Sequence, residues 1–288
     1  MHTQPPAIYG IIGNPLNHSR SPLMHNAAFK ALQVDAVYKL FPIKEEELDF
    51  FFEDLRKVNN PIFGFNVTVP YKEKVVQYMD TLNSFAQLVQ AVNTVVISKD
   101  RKLHGFNTDG SGFSTHLTEL GFDPKGKRVS ILGAGGTARS IISVLCLINE
   151  RPEKILIYNR TFENAKKLIK DLSERMDVSH VEAVKAIDDL NLELADCLIN
   201  TTSVGMKNND QCLIDEDSLH KDMLVYDVIY EPEETVLLKM AKAKGAKTAN
   251  GLRMLLHQGI LSFQHWGDCE LNKKMIKIMW DSINRKNG

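Results

Sequence analysis

Short apolar runs bounded by Gly, Pro and Asn alternate with longer stretches of helical period through most of the chain. The runs are residues 7–13 (AIYGIIG), 36–41 (AVYKLF), 62–69 (IFGFNVTV), 94–98 (TVVIS), 128–133 (RVSILG), 154–159 (KILIYN), 196–202 (DCLINTT) and 223–229 (MLVYDVI). Runs of this length and composition predict β-strands. The stretches near 22–33, 44–57, 110–120, 136–149, 162–175 and 233–244 carry apolar residues at helical spacing and predict helices. Strand–helix alternation predicts βαβ units, hence an α/β fold with mostly parallel sheets. From Gly251 the pattern changes to two helices, about 251–265 and 270–285, with no strand.

Gly105, Gly110, Gly112, Gly121, Pro124 and Gly126 cluster where the pattern pauses. They predict a boundary around 105–126. One α/β unit precedes it, a second runs from roughly 110 to 250, and the terminal helices belong to one of the two.

The second unit opens on a strand that runs into Gly133-Ala134-Gly135-Gly136-Thr137-Ala138. This is a G-x-G-x-x-G/A pattern with a strand before it and a helix after it. Gly133 permits the tight turn, Gly135 lets backbone approach a pyrophosphate, and Ala138 allows close helix–strand packing. Helix N–H groups then face the anion. A tight strand–helix turn alone would also explain the glycines. The next strand ends in Asn159-Arg160-Thr161, where NAD enzymes place an acidic residue for the ribose 2′-OH. An Arg beside a hydroxyl suits a 2′-phosphate, which favours NADP. Arg139 could add charge there. Glu163, close by, could instead hold the 2′-OH of NAD.

Four polar strings precede the turn. Ser19 and Ser21 stand one residue apart and could both reach a carboxylate or polyol, although Ser21 before Pro22 also reads as a helix N-cap. Asn66, Thr68 and Lys72 end a strand; a lysine there is either solvated or held against a reacting oxygen. Asn93 precedes an apolar strand, and Asn107, Thr108 and Asp109 lie among glycines, where turns explain them equally well. Together these residues occupy loops that flank βα units, where open α/β sheets gather ligands. They suit a polyol and offer few metal ligands. Lys72 and Asp109 are the evident acid–base pair.

Bulk properties narrow the field. Of the 288 residues, 43% are hydrophobic and 25% charged, and the net charge is −1, so no basic surplus points to a nucleic-acid partner. Cys146, Cys197, Cys212 and Cys269 lack C-x-x-C spacing, which argues against zinc or a disulfide framework and for a reducing cytosol. The start, MHTQPPAIYG, reads as no signal peptide, and no apolar stretch reaches membrane-spanning length. His18, His25, His257 and His265 read as packed or surface histidines rather than metal ligands. Phe50-Phe51-Phe52 reads as core and helix surface.

Nine ordered motifs then carry a family resemblance: HSRSP (18–22), NVTVPYK (66–72), AVNT (91–94), NTDG (107–110), GAGGTAR (133–139), NRT (159–161), NTTSVGM (200–206), YDVIYEP (226–232) and NGLRMLLHQG (250–259). By these the chain resembles the shikimate dehydrogenase family over nearly its whole length. The resemblance implies a two-domain α/β fold. An N-terminal substrate domain, residues 1–109, would be completed by C-terminal helices at 252–288, and a Rossmann-like doubly wound cofactor domain would span 110–251. It implies reversible, NADPH-dependent reduction of 3-dehydroshikimate to shikimate, in the chorismate route to aromatic amino acids. Lys72 and Asp109 would be the catalytic pair. Ser19 and Ser21 would hold the substrate carboxylate, and Thr68, Asn93, Tyr230 and Gln258 would line the substrate site. Gly133 to Ala138 would cradle the pyrophosphate, with Asn159, Arg160 and Thr161 at the adenosine end. Thr201, Val228 and Gly251 would border the nicotinamide. A cytoplasmic monomer or homodimer without metal, nucleic-acid or membrane partner is expected.

Two positions depart from the family pattern. Arg20 stands between the serines, where members often carry Lys or Leu. Phe162, Glu163 and Asn164 follow Arg160, where NADP-preferring members often place a second basic residue. A quinate/shikimate dehydrogenase using NAD or both cofactors therefore stays open. So does a non-catalytic nucleotide sensor on the same fold.

Overall fold

The computed structural model describes residues 6–149, 151–207, 209–267 and 270–284. Cys269 and the first five residues of the N-terminal segment read above lie outside them. Contacts divide the chain into two units, one comprising residues up to Gly112 together with those from Leu255 onward, the other Phe113–Met254.

The first unit is a six-stranded sheet with helices. Its strands are β1 (Ala7–Gly13), β2 (Ala36–Pro42), β3 (Ile62–Val67), β4 (Thr81–Leu82), β5 (Thr94–Ile97) and β6 (Leu103–Phe106), in the order β2-β1-β3-β5-β6-β4. β1 runs parallel to β2 and β3, but β5 is antiparallel to both β3 and β6. β4 is parallel to β6, so the sheets are mostly parallel as expected, with antiparallel pairing confined to β5. The reason is local: only five residues separate β5 from β6, too few for a crossover helix, so the chain turns back as a hairpin. β4 and β6 were not foreseen. β4 is two residues long, and β6 (LHGF) offers no continuous apolar run.

Helices α1 (Ser21–Leu32), α2 (Leu48–Leu55) and α3 (Ser84–Val89) belong to this unit, and α4 (Asp109–Glu119) begins in it and continues past Gly112 as part of the second unit. The unforeseen α3 is short and starts where Asn83 accepts the Ala86 N–H. The core gathers Ile12, Phe52, Phe65, Val92, Val95 and Leu103. Phe52 is buried and Phe50 exposed, the division expected of an amphipathic helix.

The second unit has β7 (Arg128–Leu132), β8 (Lys154–Tyr158), β9 (Val181–Val184), β10 (Cys197–Asn200), β11 (Leu224–Asp227) and β12 (Lys247–Ala249). Every pairing is parallel, and the order is β12-β11-β10-β7-β8-β9. That is the doubly wound order with the switch point between β7 and β10. Helices α5 (Gly136–Leu147), α6 (Phe162–Ser173) and α7 (Val236–Ala243) connect the strands. Ile131, Ile141, Ile155, Leu168 and Ile199 form much of the core. β9 and β12 escaped sequence reading because they are short edge strands with alternating polar residues.

α8 (Leu252–Gly267) and α9 (Lys273–Ile283) end the described chain. From Leu255 they belong to the first unit. Trp266 Nε1 donates to Val95 O (3.0 Å) on β5. Arg20 donates to Ile283 O (2.8 Å) at the end of α9.

His25 on α1 is fully buried, stacked on Tyr38 at 4.5 Å between ring centroids, with Phe263 and Trp266 also against it. Neither ring nitrogen has a hydrogen-bond partner among the described residues. Burial therefore holds the imidazole neutral and drives its pKa down to about 3. Because the unfolded chain binds a proton below pH ~6.5 and the folded chain does not, His25 costs stability as pH falls from ~6.5 towards 3. Urea titrations across that range should show a loss of stability that His25→Phe reduces. A parallel pH dependence in the variant would show that other groups carry it.

Candidate active site

The first unit brings Lys72, Asn93, Asp109 and Gln258 to one place. Lys72 follows β3 in a turn, Asn93 immediately precedes β5, Asp109 is the first residue of α4, and Gln258 lies on α8. Lys72 Nζ donates to Asp109 Oδ2 at 2.7 Å, with side chains only 11% and 6% exposed. The Lys72 carbonyl accepts the Val92 N–H (2.7 Å), which ties the lysine turn to the strand that starts beside Asn93.

The orientation of the Asn93 amide is fixed by backbone. Thr108 N–H donates to Asn93 Oδ1 (2.8 Å), so Nδ2 faces the other way. There it donates to Asp109 Oδ1 (2.9 Å) and Thr108 Oγ1 (2.9 Å), with Gln258 Oε1 at 3.3 Å. Asn107 Oδ1 accepts the Asp109 N–H (3.1 Å). The NTDG string therefore caps the start of α4 while presenting the Asp109 carboxylate to Lys72. Asp109 meets Lys72 and Asn93 at once, so the turn reading of these residues and their polar-site reading are both realised.

Behind this group lies a buried polar layer. Tyr38 Oη donates to Asn66 Oδ1 (2.7 Å), and Asn66 Nδ2 donates to Asn93 O (3.1 Å), Thr94 Oγ1 (3.1 Å) and Ser262 Oγ (2.9 Å). Tyr38, Thr94 and Ser262 were missed in sequence. The available signal was the spacing of Ser262, one helical turn after Gln258.

Ser19 and Thr68 are half-buried and Ser21 is buried. The N-cap reading of Ser21 is corrected: the N-cap position is Arg20, Ser21 is the first helical residue, and no side chain caps the helix. Pro22 fixes the start one residue earlier than the spacing suggested. Gly13 makes room for Thr68, since an added Cβ would lie 2.5 Å from Thr68 Cγ2.

In the second unit, Gly133 adopts φ +106°, a conformation side chains disfavour, and an added Cβ would meet Thr201 Oγ1 at 2.5 Å. Thr201 Oγ1 donates to Leu132 O (2.7 Å), locking β10 to the turn. Ala134, Gly136 and Thr137 are half-buried, and Ala138 is buried on the helix–strand contact. Gly135 is exposed with open space where a Cβ would be, and α5 begins there without a side-chain cap. An uncapped helix start under an open glycine suits a pyrophosphate. Asn159 is half-buried and donates to Thr161 O (2.8 Å); Arg160 and Thr161 are exposed.

Arg139 does not join them. It is buried and donates to Asp171 Oδ2 (2.9 Å) on α6, so the expectation that it adds charge at the adenosine end is corrected. At position 139 it lies on the buried side of α5, which the core occupies. Glu163 is exposed and faces Lys166 at 3.4 Å.

Val228 and Tyr230 are half-buried after β11, and Gly251 is buried. An added Cβ at Gly251 would sit 1.9 Å from Val228 O. Asp227, missed in sequence, organises this region. It is fully buried and accepts from Asn200 Nδ2 (3.0 Å), Ile229 N (3.1 Å) and Thr235 Oγ1 (2.8 Å). Burial outweighs these three donors and pushes its carboxyl up to about 6. Among the described residues no group of His, Cys, Asp and Glu is arranged to hold a metal ion.

The chain is similar to known proteins over nearly its whole length. Residues 11–95 match the model of the shikimate dehydrogenase substrate binding domain, and residues 116–222 that of shikimate / quinate 5-dehydrogenase. The shikimate dehydrogenase (NADP(+)) of Methanocaldococcus jannaschii is 41% identical over 273 residues, 94% of each chain. The crystal structure of shikimate dehydrogenase from Aquifex aeolicus aligns with a TM-score of 0.87 and 37% identity, covering 99% of this chain and 100% of that one. Quinate dehydrogenase from Corynebacterium glutamicum, in complex with NAD, aligns at 0.84 and 30% identity over 96% and 98%.

The two glycines separate packing from recognition. Gly251→Ala should lower the melting temperature, because the methyl must displace Val228 backbone, whereas Gly135→Ala should leave it near the parent value. Thermal unfolding of both variants checks this, and equal shifts would contradict the assignment.

Proposed function

The chain belongs to the shikimate dehydrogenase family, and from that premise we propose that Lys72 and Asp109 perform its chemistry. The enzyme catalyses the reversible reduction of 3-dehydroshikimate to shikimate with NADPH, a step in the biosynthesis of aromatic amino acids through chorismate. The observation that carries the residue assignment is the buried Lys72–Asp109 ion pair at 2.7 Å, held by the backbone-oriented Asn93 amide.

When bound, NADPH supplies the hydride. The chain's own residues supply the proton and the alignment. A ketone accepts hydride readily only if its oxygen is polarised or protonated. Lys72 Nζ donates a proton to that oxygen in reduction and takes it back in oxidation. Asp109 Oδ2 holds Nζ in place, while Asp109 Oδ1 is held by Asn93. Asn93, Gln258 and Thr68 offer hydrogen bonds to ring hydroxyls, and the hydroxyls of Ser19 and Ser21 suit the ring carboxylate. Tyr230 is assigned to the substrate as well.

The open Gly135 and uncapped start of α5 fit the pyrophosphate. Asn159, Arg160 and Thr161 fit the adenosine end, and Thr201, Val228 and Gly251 the nicotinamide end. Residues up to 109 and from 252 form the substrate domain, and 110–251 the cofactor domain. A cytoplasmic monomer or homodimer fits the free thiols of Cys146, Cys197 and Cys212. The NAD-bound quinate dehydrogenase among the structural relatives keeps quinate and NAD as the second reading. The intact Lys72–Asp109 pair disfavours a non-catalytic sensor.

Lys72→Ala should lower kcat by ~10²–10⁴-fold, the usual worth of a general acid–base group, with much less change in shikimate affinity. Asp109→Asn should behave similarly. An unchanged turnover number for Lys72→Ala would remove the lysine from the chemistry. Arg160→Ala should raise KM for NADP while leaving NAD largely unaffected; equal effects on both would end its 2′-phosphate role.

A further inference from the structure

We propose that Lys185, at the end of β9, is the second cationic residue that recognises the 2′-phosphate of NADP, replacing the basic residue absent after Arg160. This rests on the NADP reading above. β8 and β9 are parallel and in register, Tyr158 opposite Val184. Lys185 is the next residue on one strand, as Asn159 is on the other, and adjacent strands lie about 4.8 Å apart. Lys185 therefore leaves the sheet beside the Asn159-Arg160-Thr161 turn, at the strand end where the ribose of a dinucleotide is read.

Its side chain is directed to that turn. Lys185 Nζ lies over the ring of Phe162, 5.6 Å from the centroid. Phe162 follows Thr161 directly, and its ring holds the ammonium by cation–π attraction beside the arginine turn. Arg160 and Lys185 are both exposed, and neither makes an ion pair among the described residues. Like charges carried at adjacent strand ends gain from a dianion that both can reach.

The obvious competitor is Lys166, whose Nζ also lies 5.6 Å from the Phe162 centroid. It is weaker on charge, because Glu163 faces it at 3.4 Å across one helical turn. The nearby Asp189 carboxylate accepts the Ala186 N–H (3.1 Å) and does not pair with Lys185. Phe162 thus supports a lysine from the neighbouring strand beside the arginine turn.

Calorimetric titration of the whole protein with NADP and with NAD, without substrate, tests the assignment. Lys185→Ala should weaken NADP binding on the order of tenfold and leave NAD binding unchanged. Lys185→Arg should restore most of the loss, and Lys166→Ala should change the NADP/NAD ratio less than Lys185→Ala does. If Lys185→Ala leaves the ratio of the two affinities unchanged while the parent protein prefers NADP, the proposal fails and the NADP reading stands. If the parent protein shows no preference for NADP, the NADP reading itself fails, and the proposal with it.

Discussion

Taking an ammonium and a carboxylate out of water costs several kcal/mol per ion, and their mutual attraction offsets this only when every remaining hydrogen-bonding position is also met. The buried Lys72–Asp109 pair carries that cost, and much of the first unit answers its demands. The pair draws on three separate turns, after β3, before β5 and at the head of α4. Each turn is pinned by backbone: Val92 N to Lys72 O, Thr108 N to Asn93 Oδ1, and Asp109 N to Asn107 Oδ1. A backbone donor cannot rotate away, so the Asn93 side-chain amide it fixes keeps one orientation. The layer of Tyr38, Asn66, Thr94 and Ser262 then supplies the partners that a buried polar group requires.

The second unit solves a different problem, that of leaving backbone open at the glycine turn without losing the sheet. Gly133 takes the disfavoured φ, and Thr201 crosses from β10 to hold the strand end that the turn would otherwise loosen. On the far side of the switch point, the buried Asp227 ties the loops after β10 and β11 together through Asn200, Ile229 and Thr235. The carboxylate there is met by neutral donors alone, whereas the one at Asp109 is paired with the Lys72 ammonium.

Strands with continuous apolar runs, such as 128–132 and 154–158, were legible because burial on both faces leaves such runs. The glycine turn and Lys72, Asn93 and Asp109 were legible as motifs, in the order the chain presents them. The short strands β4, β6, β9 and β12 were not, since pairing with neighbours rather than their own pattern makes them strands. Nor were Ser262 and Thr94 readable as parts of one layer, because 168 residues separate them along the chain. The same holds for Arg139, whose charge suggested a ligand and whose burial on α5 gave it to Asp171. Sequence spacing reports which residue types are present; which face they occupy is decided by packing.

The return of α8 and α9 to the first unit has a consequence for synthesis. Domains generally fold as units during translation. The middle of this chain emerges with all of its strands in sequence, so it can close while the ribosome is still at work. The first unit cannot, because Gln258, Ser262 and Trp266 are made after it. Nascent chains therefore carry β5 with the Val95 carbonyl unmet by Trp266 and Asn66 unmet by Ser262 until the last two helices leave the exit tunnel. The segment translated ahead of the second unit therefore matures after it, with the partners of Asn66, Asn93 and Val95 supplied last.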